Sequence, residues 1–119
     1  MIVAGFGFRS EASLAALQDA LAQAGGREGV THLATVADKA EGLAPLGRML
    51  GLPVVSVAAE VLRAQVTLTQ SQRVQASFGA GSVAEAAALA AAGPGARLRG
   101  PRSVSADGTA TAAIAEALA

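Results

Sequence analysis

The first ten residues, Met1-Ile2-Val3-Ala4-Gly5-Phe6-Gly7-Phe8-Arg9-Ser10, carry the pattern that decides the fold class. Their apolar start at positions 2–4 is typical of a buried strand. Gly5 and Gly7 predict a sharp turn directly after that strand, and Ser10 is a residue type that caps helices. Leucines then recur at helical spacing at positions 14, 17 and 21, and a glycine pair ends the segment. The stretch therefore predicts a strand, a glycine turn and a helix in direct succession.

The rest of the chain alternates between strand and helix patterns. Strands are predicted at 32–36, 54–57 and 109–115, and helices at 43–50 and 84–92, with a helical turn at 58–63. A short strand at 97–102 is also predicted, and because no long helix separates it from the last strand, the sheet is expected to be mixed. We expect one α/β domain over residues 1–119, with three α/β/α layers around a mixed, mostly parallel sheet.

Composition excludes several classes of protein. No run of about 18 apolar residues occurs, and the N-terminus lacks the features of a signal peptide, so we predict a cytoplasmic protein without a membrane span. Nine acidic residues balance nine basic ones and the three aromatic residues are all Phe, which argues against a nucleic-acid partner. The chain has no cysteine and one histidine, which excludes thiol chemistry and a multi-histidine metal site. We expect neither a metal nor a cofactor.

The first group of interest is the glycine turn itself. Free N–H groups at the start of the following helix favour an anion, and Arg9 adds a positive charge at the same place. Ser10 occupies the position of the third glycine in a dinucleotide-binding fingerprint, so that motif is absent. The predicted ligand contacts are made by Gly5, Phe6, Gly7, Arg9 and Ser10. The alternative is a turn with a purely structural role.

The second group follows the predicted strand at 32–36. Ligands of open α/β sheets bind at the carboxyl ends of strands, so this group is expected to share one crevice with the glycine turn. Ser56 and Glu60 flank the end of the third strand and can line the same crevice. The alternative is that Asp38 caps a helix and that Lys39 and Glu41 are solvated surface charges. The predicted contacts are made by Thr35, Asp38, Lys39 and Glu41.

The third group, Gly79-Ala80-Gly81-Ser82-Val83-Ala84-Glu85, precedes another helix. Ser82 and Glu85 have the spacing of a capping box, in which each side chain accepts a hydrogen bond from the backbone N–H at the other end. That explanation is the favoured one. The same geometry leaves backbone donors that a carboxylate ligand can use, so Gly79, Gly81 and Ser82 are also predicted to contact a ligand.

Four blocks of the sequence resemble the cobalamin-biosynthesis family of CobE and the C-terminal domain of CbiG. They occur in the family's order and spacing over nearly the whole chain. The family's later Pro-Lys pair is present here only as Pro101-Arg102, which puts in doubt any role that needs an amine there. The blocks are Gly5 to Arg9, Leu33 to Glu41, Gly51-Leu52-Pro53 with Ser56 and the following Ala59-Glu60, and Ser82 to Ala90.

This resemblance implies a role in the corrin pathway. CbiG proteins open a ring lactone and release a two-carbon fragment, and they have N-terminal regions that this chain lacks. The resemblance therefore points to the stand-alone form of the oxygen-dependent pathway. Its implied ligand is a precorrin or corrin intermediate, whose acetate and propionate groups suit helix N-termini and Arg side chains.

Three hypotheses follow. The first is a protein that binds the intermediate and hands it between pathway enzymes. The second is a hydrolase-type enzyme that opens a precorrin lactone, with Asp38 or Glu41 as general base and Lys39 or Arg9 stabilising an oxyanion. No nucleophile–base pair is visible for that chemistry. The third is an interaction module that docks on another enzyme of the pathway.

Overall fold

The computed structural model describes residues 1–70 and 82–118. We number the regular elements of these residues in chain order, and a 3-10 helix at Ala37–Lys39 directly precedes α2. The strands and helices are β1 (Ile2–Phe8), α1 (Leu14–Ala24), β2 (His32–Val36), α2 (Ala40–Leu50), β3 (Val54–Val57), α3 (Ala59–Arg63), α4 (Val83–Ala92), β4 (Arg97–Leu98), β5 (Ser103–Val104) and β6 (Ala110–Glu116).

All six described strands belong to one mixed sheet. Its order is β3-β2-β1-β6-β4, and β5 also pairs with β6. β1, β2 and β3 are parallel, whereas β6 is antiparallel to β1, β4 and β5. Five described strands therefore run in one direction and β6 runs in the other, which confirms the predicted mixed, mostly parallel sheet.

The sheet has a hydrophobic core on each face. Leucines of α1 and α2 pack with Phe6, Leu33 and Ile114 on one face. Leu62 of α3 and alanines of α4 pack with strand residues of the opposite face. These two cores confirm the three-layer arrangement. No helix in the described residues is long and apolar enough to cross a membrane.

Gly5 and Gly7 were predicted to form a turn, and this prediction is wrong. Both lie inside β1, where they pair with Ala113 and Thr111 of β6. A Cβ atom at Gly5 would overlap the carbonyl oxygen of Ala84 and lie 2.5 Å from the backbone nitrogen of Ala88. The glycine is needed because α4 packs its backbone directly on the strand.

Two helix starts also differ from the prediction. Helix α1 begins at Leu14, and Ser13 rather than Ser10 caps it, accepting a hydrogen bond from the backbone N–H of Ala16 at 3.1 Å. Helix α2 begins at Ala40 rather than at residue 43. The expected polar loop is therefore a 3-10 turn followed by the first turn of α2.

The other expected elements are close to their predicted positions. β2, β3 and β6 occur where the sequence predicts strands, and α3 occupies the predicted helical turn. Gly51 ends α2 with φ 69°, in the left-handed region that favours glycine. Residues 97–102 contain β4, and β5 follows directly after them.

Candidate functional site

The strands β1, β2 and β3 end at the same edge of the sheet because they are parallel and in register. We call this the carboxyl edge and define it by residues 8–10, 37–41 and 56–60. Ligands of open α/β sheets bind at such an edge. The structure therefore brings together segments of the first and second groups predicted from the sequence.

Lys39 is the side chain that joins these two groups. Its Nζ lies 3.5 Å from the Oγ of Ser10 and 5.7 Å from the centroid of the Phe8 ring. The first distance is long for a hydrogen bond, and the second is within the range of a cation–π contact. Phe8 in turn packs against α2 at Gly42, where a Cβ atom would lie 2.7 Å from the ring. Lys39, a half-buried residue, is thus positioned by two neighbours that carry no opposite charge.

No carboxylate in residues 1–70 and 82–118 lies within 4 Å of the Lys39 ammonium. The one ion pair among these residues joins Arg99 and Glu116, at 2.7 Å. Arg9, also at the carboxyl edge, has an exposed side chain, and its backbone N–H donates to the carbonyl of Thr109 at 2.9 Å. Two positive groups at this edge are therefore available to an anionic ligand.

Asp38 and Glu41 lie at the same edge with exposed side chains. Asp38 belongs to the 3-10 helix and Glu41 to the first turn of α2. Neither carboxylate accepts a hydrogen bond from the described part of the chain. An exposed, unheld carboxylate lacks the fixed geometry that general-base catalysis requires.

Ser56 and Glu60 are exposed where β3 ends and α3 begins, so they also belong to the carboxyl edge. Thr35 does not. Its side chain is fully buried, and its Oγ1 donates to the carbonyl of Phe6 at 2.8 Å. The hydroxyl ties β2 to β1. Thr35 therefore has a structural role and is not exposed at the carboxyl edge.

Phe6 and the two strand glycines are also poor ligand contacts. Phe6 is fully buried in the core that faces α1 and α2. Gly5 lies beneath α4, and Gly7 lies against Val83 and Thr111. Of the first predicted group, Arg9 and Ser10 are exposed and Gly7 is half-buried. Gly79 and Gly81 lie outside the described residues.

The start of α4 is buried. Ser82 and Glu85 have no exposed surface, and the Ser82 Oγ accepts from the backbone N–H of Glu85 at 3.3 Å. This confirms one half of the predicted capping box. The other half is wrong, because the Glu85 carboxylate is bound to two distant loops instead of to the N–H of Ser82.

Four hydrogen bonds hold the Glu85 carboxylate. Its Oε1 accepts from the N–H groups of Leu68 and Thr69 at 2.6 and 2.8 Å. Its Oε2 accepts from the Thr69 hydroxyl at 2.5 Å and from the N–H of Arg102 at 2.7 Å. Burial raises the pKa of Glu85, but the bonds from Thr69, Arg102 and Leu68 outweigh it and lower the pKa below its ordinary value of 4.5. We call this arrangement the Glu85 clasp.

The partners of Glu85 were not predicted from the sequence. One signal was present, because Glu85 is the sole charged residue in the apolar helix Val-Ala-Glu-Ala-Ala-Ala-Leu-Ala-Ala-Ala. A charge in a helix that is apolar on all sides is expected to be buried and bonded. Nothing local identifies the loops that bind it. Among the described residues, no cluster of three or more His, Asp or Glu side chains forms a metal site.

The fold and its edge define a class of protein: a small α/β domain whose open sheet presents polar side chains beyond the ends of three parallel strands. The family described as cobalamin synthesis G C-terminus matches residues 2–115, and the chain belongs to it. The protein is therefore a member of the cobalamin-biosynthesis family of CobE and the C-terminal domain of CbiG. No curated protein sequence matches the chain.

Solved structures agree with this assignment. The chain is similar to CobE, a protein from the cobalamin biosynthetic pathway, with 33% identity, TM-score 0.83, and coverage of 99% of this chain and 91% of that one. It is also similar to a cobalamin biosynthesis protein from Agrobacterium tumefaciens, with 37% identity, TM-score 0.74 and full coverage of both chains. A cobalamin biosynthesis protein G homolog from Sulfolobus solfataricus shares the fold at 19% identity and TM-score 0.73, over 96% of this chain and 36% of that one.

Proposed function

We propose that this protein binds a precorrin or corrin intermediate of cobalamin biosynthesis at the carboxyl edge and hands it on to another enzyme of the pathway. The observation that carries the proposal is Lys39, a half-buried residue whose ammonium has no carboxylate within 4 Å in the described residues. A ligand carboxylate would supply the missing partner. We also propose that the protein is cytoplasmic, as expected from the sequence.

The chemistry of the ligand class fits this edge. Corrin precursors carry several acetate and propionate groups, and charge-assisted hydrogen bonds to such groups are stronger than neutral ones. Lys39 is also the residue that precedes the first turn of α2, and no side chain caps that helix. The N–H of Ala40 already donates to the carbonyl of Ala37 in the preceding 3-10 turn, so the ammonium of Lys39 is the main positive group at this helix start.

We expect the ligand to be recognised at this edge by single side chains rather than by a broad positive field. Asp38, Glu41 and Glu60 share the edge with Lys39 and Arg9, so the cations do not form a broad positive field. A polycarboxylate ligand is therefore expected to place one carboxylate against Lys39 rather than to be attracted along the whole edge. The lactone-opening alternative is not part of the proposal, because Asp38 and Glu41 are exposed and are not held by other described residues.

A titration with hydrogenobyrinic acid, followed by visible absorption, tests the proposal. Wild-type protein is expected to shift the spectrum at micromolar concentration. Lys39→Ala is expected to weaken the affinity about fivefold, the effect of losing one partly exposed charged contact. Lys39→Arg keeps the charge and is expected to restore most of the affinity.

Arg48→Ala is the matched control, because Arg48 is an exposed cation in the last turn of the same helix. It is expected to bind like wild type. Absence of any spectral shift with wild-type protein would remove the proposed function. Equal affinity of wild type and Lys39→Ala would leave the binding function but exclude this edge as its site.

A further inference from the structure

A concave surface lies on the α3 and α4 face of the sheet and shares no residue with the carboxyl edge. It is a groove of about 590 Å³ between the end of α3 and the end of α4. The chain that leaves α3 forms one wall, and the segment from Gly93 to β4 forms the other. This volume is within the roughly 300–1,000 Å³ of small-molecule sites.

The groove is lined by aliphatic side chains that remain exposed to solvent. Val66 is 88% exposed, Leu68 62% and Val61 47%. Leu89 and Leu98 contribute further apolar surface. Exposed aliphatic side chains around one concavity are typical of a binding surface rather than of isolated surface residues. The lining therefore favours an apolar ligand body.

One wall of the groove is fixed by the Glu85 clasp. Leu68 lines the groove, and its backbone N–H donates to the buried Glu85 carboxylate at 2.6 Å. The next residue, Thr69, is held by the same carboxylate through its N–H and its hydroxyl. The wall is thus positioned before any ligand binds, which reduces the entropy lost on binding.

Arg97 places a positive charge at the side of this apolar surface. It lies opposite Glu116 in the sheet, but the Glu116 carboxylate is bound by Arg99 at 2.7 Å. Within the described residues, the Arg97 guanidinium has no carboxylate within 4 Å. The groove therefore combines an apolar lining with a cation available to an acidic group.

From these observations we propose that the groove binds a small molecule with an apolar body and one acidic group, at a site separate from the carboxyl edge. The apolar body contacts Val61, Val66 and Leu89, and the acidic group pairs with Arg97. This proposal does not depend on the proposed corrin-binding function, since the two surfaces share no residues.

Anilinonaphthalene sulfonate is a suitable probe, because it has an aromatic apolar body and one sulfonate. Folded wild-type protein is expected to increase its fluorescence in a saturable way. Val66→Asp is expected to raise the Kd about tenfold, because it removes apolar contact and places a negative charge near the sulfonate. Arg97→Gln is expected to raise the Kd about threefold through loss of one exposed charge pair.

Met49→Asp is the matched control, because Met49 is a 46% exposed apolar residue on α2, on the other face of the sheet. It is expected to bind the probe like wild type, and far-ultraviolet circular dichroism is used to verify that all variants are folded. Lack of saturable binding, wild-type affinity of Val66→Asp, or equal weakening by Met49→Asp would overturn the proposal. Wild-type affinity of Arg97→Gln would overturn the pairing with the acidic group.

Discussion

The starts of α2 and α4 contain similar residue types but have opposite surroundings. Lys39 at the start of α2 is half-buried at the carboxyl edge, no side chain caps the helix, and the ammonium has no carboxylate partner among the described residues. Ser82 and Glu85 at the start of α4 are fully buried, and both accept hydrogen bonds from the protein itself.

The polar groups at the start of α2 can bind a ligand, whereas those at the start of α4 stabilise the fold. Residues at both helix starts were predicted to contact a ligand: Asp38, Lys39 and Glu41 near α2, and Gly79, Gly81 and Ser82 near α4. At α4 the polar atoms are already occupied, so that start is part of the core. At α2 the positive charge remains available, so that start belongs to a surface. Burial and partners, rather than residue type, distinguish the two cases.

The largest expected effect is that of Glu85→Gln on stability. An amide presents an NH₂ group to N–H and O–H donors, so at least two hydrogen bonds are lost in a buried site. We expect a loss of about 3 kcal/mol in the free energy of unfolding, a large part of the roughly 5–15 kcal/mol of a domain. Urea unfolding followed by circular dichroism measures it, since the chain has neither tryptophan nor tyrosine.

Glu60→Gln is the matched control for that substitution, because Glu60 is an exposed carboxylate in the first turn of α3. It is expected to change stability by less than about 0.5 kcal/mol. If Glu85→Gln were as stable as Glu60→Gln, the Glu85 clasp would not be a stabilising feature of the fold.

The next largest expected effect is a difference in stability between alanine variants of two glycines, Gly5 beneath α4 and Gly42 beside Phe8. Gly5→Ala places a methyl group against backbone atoms of Ala84 and Ala88, which cannot move independently. We expect a loss of about 2–3 kcal/mol from overpacking. Gly42→Ala meets the Phe8 ring, a side chain that can shift, and gains helix propensity, so its net effect is expected to be within about 1 kcal/mol of zero. Equal unfolding midpoints of the two variants would contradict this account.

Low pH is expected to reduce the stability of the fold because it protonates Glu85 in the Glu85 clasp. The pKa of Glu85 is lowered in the folded state, so the unfolded state binds the proton more readily. The stabilisation is complete above the ordinary pKa of 4.5 and is lost as the pH falls through the lower folded-state value. Stability curves measured from pH 7 downward are expected to fall less steeply for Glu85→Gln than for wild type. Parallel curves would show that Glu85 is not the source of the acid sensitivity.

The smallest effect on stability is expected at the carboxyl edge. Lys39→Ala removes one long contact to Ser10 and one cation–π contact to Phe8, both partly exposed. We expect a change of less than about 1 kcal/mol in the free energy of unfolding. The same variant is expected to lose affinity for hydrogenobyrinic acid. A large loss of stability in urea unfolding would mean that Lys39 is structural, like Glu85.

Much of the fold could be predicted because its signals are local. β-branched and apolar runs gave β2 and β3, and Gly51 marked the end of α2. The carboxyl-end rule correctly placed Ser10 and Lys39 together, since it needs only the strand order and direction. These features depend on a few neighbouring residues or on a general property of parallel sheets.

The errors come from contacts between distant residues. Gly5 was interpreted as a turn because nothing near it indicates that α4 packs on β1. Thr35 was predicted to contact a ligand, but its hydroxyl is bonded to the carbonyl of Phe6 on the next strand. The Glu85 carboxylate binds residues 17 and 16 positions before it and 17 positions after it. Sequence spacing along one helix cannot reveal such partners.

We propose that the carboxyl edge, and not the start of α4, receives a corrin ligand. This proposal is tested most directly by recording amide chemical shifts of labelled protein while hydrogenobyrinic acid is added. We expect the largest shifts at residues 9–10 and 38–41, and small shifts at 83–86. Largest shifts at 83–86, with residues 38–41 unchanged, would contradict it.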